Sequence, residues 1–433
     1  MVLEFLVITA LLFLLLANGS PVAFAMLFSG FVGIIWVLGE APALGVLSNA
    51  PYSSVSSYTL STLPMFILMG EFLTSGRFTR DLFDASHKWL GHFRGGLAYA
   101  AISGGALLAA VTGSSTAAAS TLARAAYPEM RRYGYRDAFV TGVLATVGTL
   151  AILIPPSIAL IIYGILTDTP VGALLLAGIV PGLLTALGYV VAIKLRVTLT
   201  PDAAPSAPQR VALRQRMAAL ITVWPVCLLI FAMFGAIYTG IITVTEVGAV
   251  GALCAFLIAL VMGRMSLSAI SESFVNAARS SAMILSIIAG AAVFGIFITV
   301  SRVPQQLLAY VEAAGLHPYT VLLIVLLFLL VLGFFLDQLA VLILTLPIIF
   351  PLLVGVGFDP VWMGVIVIKT VEIGLVTPPM GLNCFVVSSA TRVPVHVVFR
   401  GIWLFLAIDL VVLGILVAFP DLILAIPRWA GMY

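Results

Sequence analysis

Two proline pairs interrupt apolar segments of the sequence, Pro155-Pro156 in "IPPSIAL" (154–160) and Pro378-Pro379 in "TPPMGLN" (377–383). Because proline lacks a backbone N–H and clashes with the preceding turn, each pair predicts a break in a helix. A helix broken at membrane depth leaves N–H groups at the start of one half-helix and C=O groups at the end of the other without partners. The carbonyls can bind Na+ together with side-chain oxygens, whereas the N–H ends favour an anionic substrate.

Polar residues at two other interruptions, "GSSTA" (113–117) and "LDQLA" (336–340), would supply the side chains for this chemistry. We predict that each is the tip of a helical hairpin and that each tip faces the break in its own half. The predicted Na+ ligands are Ser114, Ser115, Thr116, Gly148 and Thr149 in the first half, and Asp337, Gln338, Gly374 and Thr377 in the second. The predicted substrate-binding residues are Gly113, Ser114, Pro155, Pro156, Ser157, Pro378, Pro379 and Asn383.

Three ionisable residues lie in or beside these apolar segments. Asp337 is the only acidic residue between Glu312 and Asp359, and a charge at membrane depth is costly unless it binds a ligand or pairs. We therefore predict that Asp337 is functional. Lys369 and Glu372 are three positions apart before the second break, so they can pair on one helix face, either as a structural ion pair or as a gate.

Composition defines the class of protein that these elements belong to. The 433 residues are 62% hydrophobic and 9% charged, far from the composition of a soluble domain. Many stretches reach the roughly 20 apolar residues that a membrane-spanning helix needs. We therefore predict an all-α polytopic membrane protein, with residues 3–17 as a retained helix.

Several other classes of protein are disfavoured. The three cysteines lie far apart in apolar segments, so neither a disulfide framework nor a zinc site is indicated. No basic domain suggests a nucleic acid partner. G-x-S-x-G, P-loop and H-E-x-x-H motifs are absent, and we predict that the chain is not an enzyme.

Charge and spacing predict an internal repeat of inverted topology. Only residues 95–123 separate two basic clusters, so this segment must enter the membrane and return on the same side. Ser114 precedes Pro155 by 41 positions, and Asp337 precedes Pro378 by 41. Because the first hairpin would open to the cytoplasm and the second to the outside, the two halves are inverted, as in many transporters.

The repeat divides the chain into predicted structural units. Amphipathic segments at 78–91 and 303–316 precede the hairpins and are predicted to be interfacial arm helices, although loop helices without a mechanical role remain an alternative. The units are scaffold helices (1–75 and 217–301), arm helices (76–92 and 302–316), transport-domain halves (93–170 and 317–394), a closing helix (171–200), a cytoplasmic linker (201–216) and a C-terminal helix (395–433).

Five motifs in order resemble one family over essentially the whole chain. They are "LPMFILMGEFLTSG" (63–76), "GSSTA" (113–117), "LIPPS" (153–157), "GIITVTEVGAV" (240–250) and "VTPPMGLN" (376–383). Together they resemble the large membrane subunit of tripartite ATP-independent periplasmic (TRAP) transporters, within the wider ion-transporter superfamily. Glu246, in the fourth motif, has no predicted role beyond helix capping or contact with a partner.

The resemblance implies Na+-driven import by an elevator mechanism through a bacterial inner membrane. A periplasmic binding protein would deliver an organic acid, such as a C4-dicarboxylate or sialic acid. A small four-helix membrane subunit, expected as a separate chain, would brace the scaffold. It also implies Na+ near Ser114 and Ser115 and near Asp337 and Thr377. Both termini are predicted to be periplasmic.

Two other functions remain open. One is a self-sufficient Na+/carboxylate symporter or Na+/H+ antiporter of the same architecture, which would bind substrate directly at the tips. The other is a membrane scaffold or channel, although two polar tips and an intramembrane aspartate are costly features for a scaffold.

Replacing the acid of the second tip tests the predicted cation chemistry. We expect Asp337→Asn to abolish Na+-dependent uptake while leaving expression unchanged, because the variant loses the charge and keeps the shape. Uptake by the variant at the wild-type rate, measured in proteoliposomes, would remove the second cation site.

Overall fold

The computed structural model describes residues 2–204 and 211–432, and these residues form helices joined by turns, with no strand among them. The middle of the predicted 201–216 linker therefore lies outside the described residues. The prediction of an all-helical chain is confirmed for the part that the structure describes.

Eleven helices precede the linker, beginning with a helix that confirms the one predicted at 3–17. The helices are α1 (Val2–Ala17), α2 (Val22–Leu38), α3 (Glu40–Val55), α4 (Thr62–Ser75), α5 (Phe78–Leu90), α6 (Gly96–Thr112), α7 (Ser115–Arg132), α8 (Asp137–Val147), α9 (Leu150–Leu153), α10 (Ile158–Thr167) and α11 (Val171–Leu199). Short 3₁₀ turns lie at Tyr58–Ser61 and Pro201–Ala203.

Ten described helices follow the linker. They are α12 (Leu213–Tyr238), α13 (Val244–Val261), α14 (Leu267–Ser301), α15 (Val303–Ala313), α16 (Pro318–Phe335), α17 (Gln338–Gly355), α18 (Pro360–Val376), α19 (Leu382–Thr391), α20 (Val395–Ala418) and α21 (Asp421–Trp429).

Length and composition allow several of these helices to cross a membrane. Among the described residues, six helices are long and apolar enough to be membrane spans. A seventh span is added if α8–α9 and α10, which are bent by 41° relative to each other, count as one. The bend lies at the first proline pair. A hydrocarbon core of about 30 Å requires this length of apolar helix.

Helices end at both predicted breaks and at both predicted hairpin tips. The chain leaves the helix between Leu153 and Ile158 and between Val376 and Leu382, and both Pro-Pro bonds are cis. Helices α6 and α7 meet at residues 113–114, and α16 and α17 meet at residues 336–337. The polar motifs therefore lie at helix ends.

Side chains cap the starts of two helices in the second half. Helix α14 begins at Leu267, where the Ser266 hydroxyl accepts a hydrogen bond from the Ala269 N–H at 3.2 Å. Helix α21 was not predicted. Glu246 forms a capping box with Thr243, accepting that residue's N–H at 2.8 Å, so its predicted capping role is confirmed.

Small residues let the helices approach closely where hydrocarbon offers no hydrophobic driving force. A Cβ atom on Gly30 of α2 would lie 2.7 Å from the Phe294 backbone of α14. A Cβ on Gly142 of α8 would lie 2.5 Å from the carbonyl carbon of Gly401 of α20, and one on Gly401 would overlap the Ala138 carbonyl oxygen. These contacts leave no room for a side chain.

The close packing of α8 on α20 gives a test with a control on the same helix. We expect Gly401→Ala to lower the free energy of unfolding in detergent by about 1–3 kcal/mol, the usual cost of overpacking. Gly414→Ala, also on α20, should cost nothing, because a Cβ there meets nothing within 4 Å. Equal melting temperatures for the two variants would contradict the packing described.

Candidate functional site

Both hairpin tips line one cavity. Its volume is about 280 Å³, and it lies between the tips and the helices α4 and α14. The first tip contributes residues 113–117, the second Asp337 and Gln338, α4 contributes Glu71 and Thr74, and α14 contributes Ser280. The two predicted tips, 223 positions apart in the chain, are therefore brought together.

The first tip is shaped by a residue in the left-handed region. Gly113 has φ +57°, a conformation that residues with a Cβ rarely adopt. A Cβ there would also lie 3.1 Å from the Pro156 carbonyl oxygen, so this tip rests on the first break as predicted. The Ser114 hydroxyl lies 3.4 Å from that of Thr116, and both side chains face the cavity.

The second tip is held by its aspartate. Asp337 caps α17, with its Oδ1 accepting the Ala340 N–H at 2.8 Å. The next side chain, Gln338, is only 8% exposed, and its Nε2 has no hydrogen-bond acceptor among the described residues. A buried amide donor without an acceptor costs free energy, which a ligand acceptor in the cavity would recover.

Ser115 connects the first tip to the second break. Its hydroxyl accepts a hydrogen bond from Asn383 Nδ2 at 2.6 Å and donates to Glu372 Oε2 at 3.4 Å. The other oxygens of these two partners, Glu372 Oε1 and Asn383 Oδ1, are buried without a donor in the described structure. The first tip thus contacts both breaks, and not its own alone as predicted.

Lys369 pairs with Asp409 of α20 and not with Glu372, which corrects the predicted pair. Both side chains are 1% exposed. Tyr189 of α11 donates to Asp409 Oδ2 at 2.8 Å and lies 2.8 Å from the Thr149 hydroxyl. Spacing along α18 allows a Lys369–Glu372 pair, but Glu372 instead lies against the first tip.

Other predicted site residues do not line the cavity, and several serve local structure. Ser157 caps α10, Thr377 donates to the Ile373 carbonyl at 2.5 Å, and a Cβ on Gly374 would lie 2.8 Å from Gly333 of α16. The predicted residues outside the lining are Gly148, Thr149, Pro155, Pro156, Ser157, Gly374, Thr377, Pro378, Pro379 and Asn383.

The sequence analysis missed Glu71, Asp409 and Tyr189. Each acid lies alone in an apolar segment, Glu71 within 63–76 and Asp409 within 395–418, and that isolation is the signal that marked Asp337. Tyr189 carried no such signal, since a tyrosine in an apolar helix is commonplace.

The ligand types around the tips suit a hard cation. No group of three or more His, Cys, Asp or Glu side chains that could hold a metal occurs among the described residues. Ser115 contacts both Glu372 and Asn383, each of which has one buried oxygen without a donor, and carboxylate, carbonyl and hydroxyl oxygens are the ligands that hard cations prefer.

Comparisons with known proteins agree on one family. The family model described as "Tripartite ATP-independent periplasmic transporter, DctM component" matches residues 9–422. A C4-dicarboxylate TRAP transporter large permease protein of Pseudomonas aeruginosa is 37% identical, covering 91% of this chain and 94% of its own. A sialic acid TRAP transporter large permease protein of Vibrio cholerae is 32% identical, covering 96% of both.

A solved structure shares the fold. The YdaH transporter of Alcanivorax borkumensis superposes with a TM-score of 0.65, covering 88% of this chain and 90% of its own at 15% identity. At that identity the likeness concerns the fold alone.

The buried pair between α18 and α20 gives a double-mutant test. We expect Lys369→Met to destabilise the protein by about 3–5 kcal/mol, because it leaves the Asp409 charge buried without its partner. The double variant Lys369→Met/Asp409→Asn should be more stable than the single one. Thermal unfolding in detergent measures both, and strictly additive effects would show that the two side chains are not coupled.

Proposed function

The chain belongs to the DctM-component family of tripartite ATP-independent periplasmic transporters, and on that basis we propose that it imports an organic acid by Na+ coupling and an elevator movement. Permeases of this family are multi-pass membrane proteins that carry out secondary transport of organic acids. The family implies two partners, a periplasmic binding protein and a small membrane subunit.

The observation that carries the proposal is the cavity shared by the two tips. One set of walls, 113–117 and 337–338, comes from hairpin ends, and the other comes from the continuous helices α4 and α14. A substrate bound there would touch both sets. Movement of the tips past α4 and α14 would carry it, as the elevator mechanism requires. The P. aeruginosa and V. cholerae relatives suggest a C4-dicarboxylate or a sialic acid as its chemical type.

Na+ would be held where buried oxygens lack donors. We propose the first site at Ser115, with the orphan oxygens of Glu372 and Asn383 as ligands. The carbonyls at the end of the broken helix would complete the shell. The cation would neutralise Glu372 and so hold the first tip on the second break. The second site would lie at Asp337 and Thr377.

Uptake into proteoliposomes tests this function. They would contain the chain and its small subunit, with labelled succinate or sialic acid outside. We expect uptake only with both an inward Na+ gradient and the cognate binding protein. Uptake that needs Na+ alone would support a self-sufficient symporter, and uptake indifferent to Na+ would contradict the coupling.

The same assay locates the first cation site. We expect Ser115→Ala to raise the Na+ concentration for half-maximal uptake at least about tenfold, because it removes one ligand and the hydrogen bonds that hold two others. Ser120→Ala, on the same helix outside the cavity lining, is the control. Equal Na+ dependence of the two variants would exclude Ser115 as a ligand.

A further inference from the structure

One negative charge is left without a partner in the buried cluster before the second break. Lys369 and Glu372 of α18 and Asp409 of α20 are each 1% exposed, so the cluster holds two carboxylates and one ammonium group. The ion pairs of the described residues include Lys369 with Asp409 and none with Glu372. An isolated buried charge is very costly, and Glu372 therefore needs a cation.

The two carboxylates differ in how many of their oxygens have partners. Asp409 has a partner on each oxygen, because Oδ1 binds the Lys369 ammonium and Oδ2 accepts from Tyr189 at 2.8 Å. Glu372 has the Ser115 hydroxyl 3.4 Å from Oε2, and its Oε1 is buried without a donor in the described structure. The single ammonium group of the cluster thus binds Asp409 and leaves Glu372 open.

Glu372 is the local alternative partner of Lys369. Side chains three positions apart on a helix are neighbours, with about 5–6 Å between their Cβ atoms, and lysine carries its ammonium on a flexible stem. The charges of Lys369 and Asp409 both act on Glu372. A contact from another helix therefore has to outcompete this local pair.

Packing of α11 against α20 fixes Asp409 where it binds Lys369. A Cβ on Gly188 of α11 would lie 2.6 Å from the Ile408 side chain of α20, so the two helices are in close contact beside Tyr189 and Asp409. The Tyr189 ring packs edge-on against Phe405, with 5.7 Å between the ring centroids. The tyrosine hydroxyl is thereby held next to Asp409 and donates to it.

We propose that Asp409 holds the Lys369 ammonium away from Glu372 and so keeps the first cation site free for Na+. Tyr189 orients Asp409 through its hydrogen bond. Both are positioning residues in this role, since neither touches the cation. The inference rests on the first Na+ site proposed above, and it adds that an ammonium group of the protein itself is the competitor for that site.

Direct Na+ binding tests the proposal. The purified complex of this chain with its small subunit would be titrated with NaCl, balanced with choline chloride to constant ionic strength, and the melting temperature followed. Asp409→Asn keeps the shape and leaves an oxygen for Tyr189, but it releases Lys369 to pair with Glu372. We expect the Na+ concentration for half-maximal stabilisation to rise at least about tenfold, as it does when Ser115→Ala removes the first site.

A double variant and a control separate this role from a structural one. Lys369→Met/Asp409→Asn removes the competing ammonium together with the group that holds it, so the half-maximal Na+ concentration should return close to the wild-type value. Asp359→Asn makes the same change at the N-cap of α18, where asparagine caps equally well, and should bind Na+ as the wild type does. A purely structural role of Asp409 would lower the melting temperature without Na+ and leave the half-maximal Na+ concentration unchanged.

A second variant keeps the test open if Asp409→Asn does not fold. Tyr189→Phe removes the hydrogen bond that orients Asp409, and we expect it to raise the half-maximal Na+ concentration in the same direction but by less. Tyr163→Phe is the matched control, because it also loses a buried tyrosine hydrogen bond, to the Pro360 carbonyl at 2.8 Å. Equal half-maximal Na+ concentrations in the two variants would overturn the inference.

The remaining outcomes distinguish this inference from the proposed function. If Ser115→Ala weakens Na+ binding and Asp409→Asn does not, the inference is overturned and the first Na+ site stands. A double variant that binds Na+ no better than Asp409→Asn would also overturn it, since the ammonium would then not be the competitor. A wild-type protein that does not respond to Na+ would overturn the cation site itself, and this inference with it.

Discussion

Backbone groups that leave a helix inside hydrocarbon have no water to bond to, and they must be covered by protein or line a cavity. The chain leaves the helix at residues 154–157 and 377–381, within apolar segments. Much of the surrounding structure covers these two places. Gly182 of α11 lies so close to Ile154 that a Cβ would come within 2.8 Å of it, and Gly113 lies on Pro156. At the second break, the Cys384 thiol donates to the Val376 carbonyl at 3.4 Å.

Hydrogen bonds cross between the two halves of the chain as well as within them. Ser115 from the first half binds Asn383 and Glu372 from the second. Thr149 and Tyr189 from the first half connect to Asp409 and Lys369 from the second. A buried ion pair adds little net stability, because desolvation offsets the attraction. It does penalise any arrangement that separates the partners, because each charge would then be buried alone.

The positions of the helix breaks and hairpin tips were predictable from the sequence, whereas the tertiary contacts of the ionisable side chains were not. Pro155 and Pro378 marked the breaks because proline acts on its own helix, and the polar runs at 113–117 and 336–340 marked the tips because they interrupt apolar helices. The partner of Lys369 was predicted wrongly, since helix spacing favours a residue three positions away, whereas Asp409 lies 40 residues on. Glu71 carried the same signal as Asp337, an acid alone in an apolar segment, and was overlooked. Its place in the cavity wall arises only when α4 packs beside the tips, and no local pattern encodes that contact.

Helix α14, with 35 residues, is longer than a membrane-spanning helix needs to be. At 1.5 Å per residue it is roughly 52 Å long, well beyond a hydrocarbon core of about 30 Å. Ser280, in the cavity wall, lies 21 residues from the Ser301 end and next to the charged, exposed Arg279. That distance, roughly 31 Å, is a full hydrocarbon thickness. Only 13 residues of α14, roughly 20 Å, lie on the Leu267 side of Ser280, so the cavity lies well away from the middle of this helix. For the proposed elevator movement, the long Ser301 side of α14 offers the tips a continuous helical surface of several turns beside the cavity.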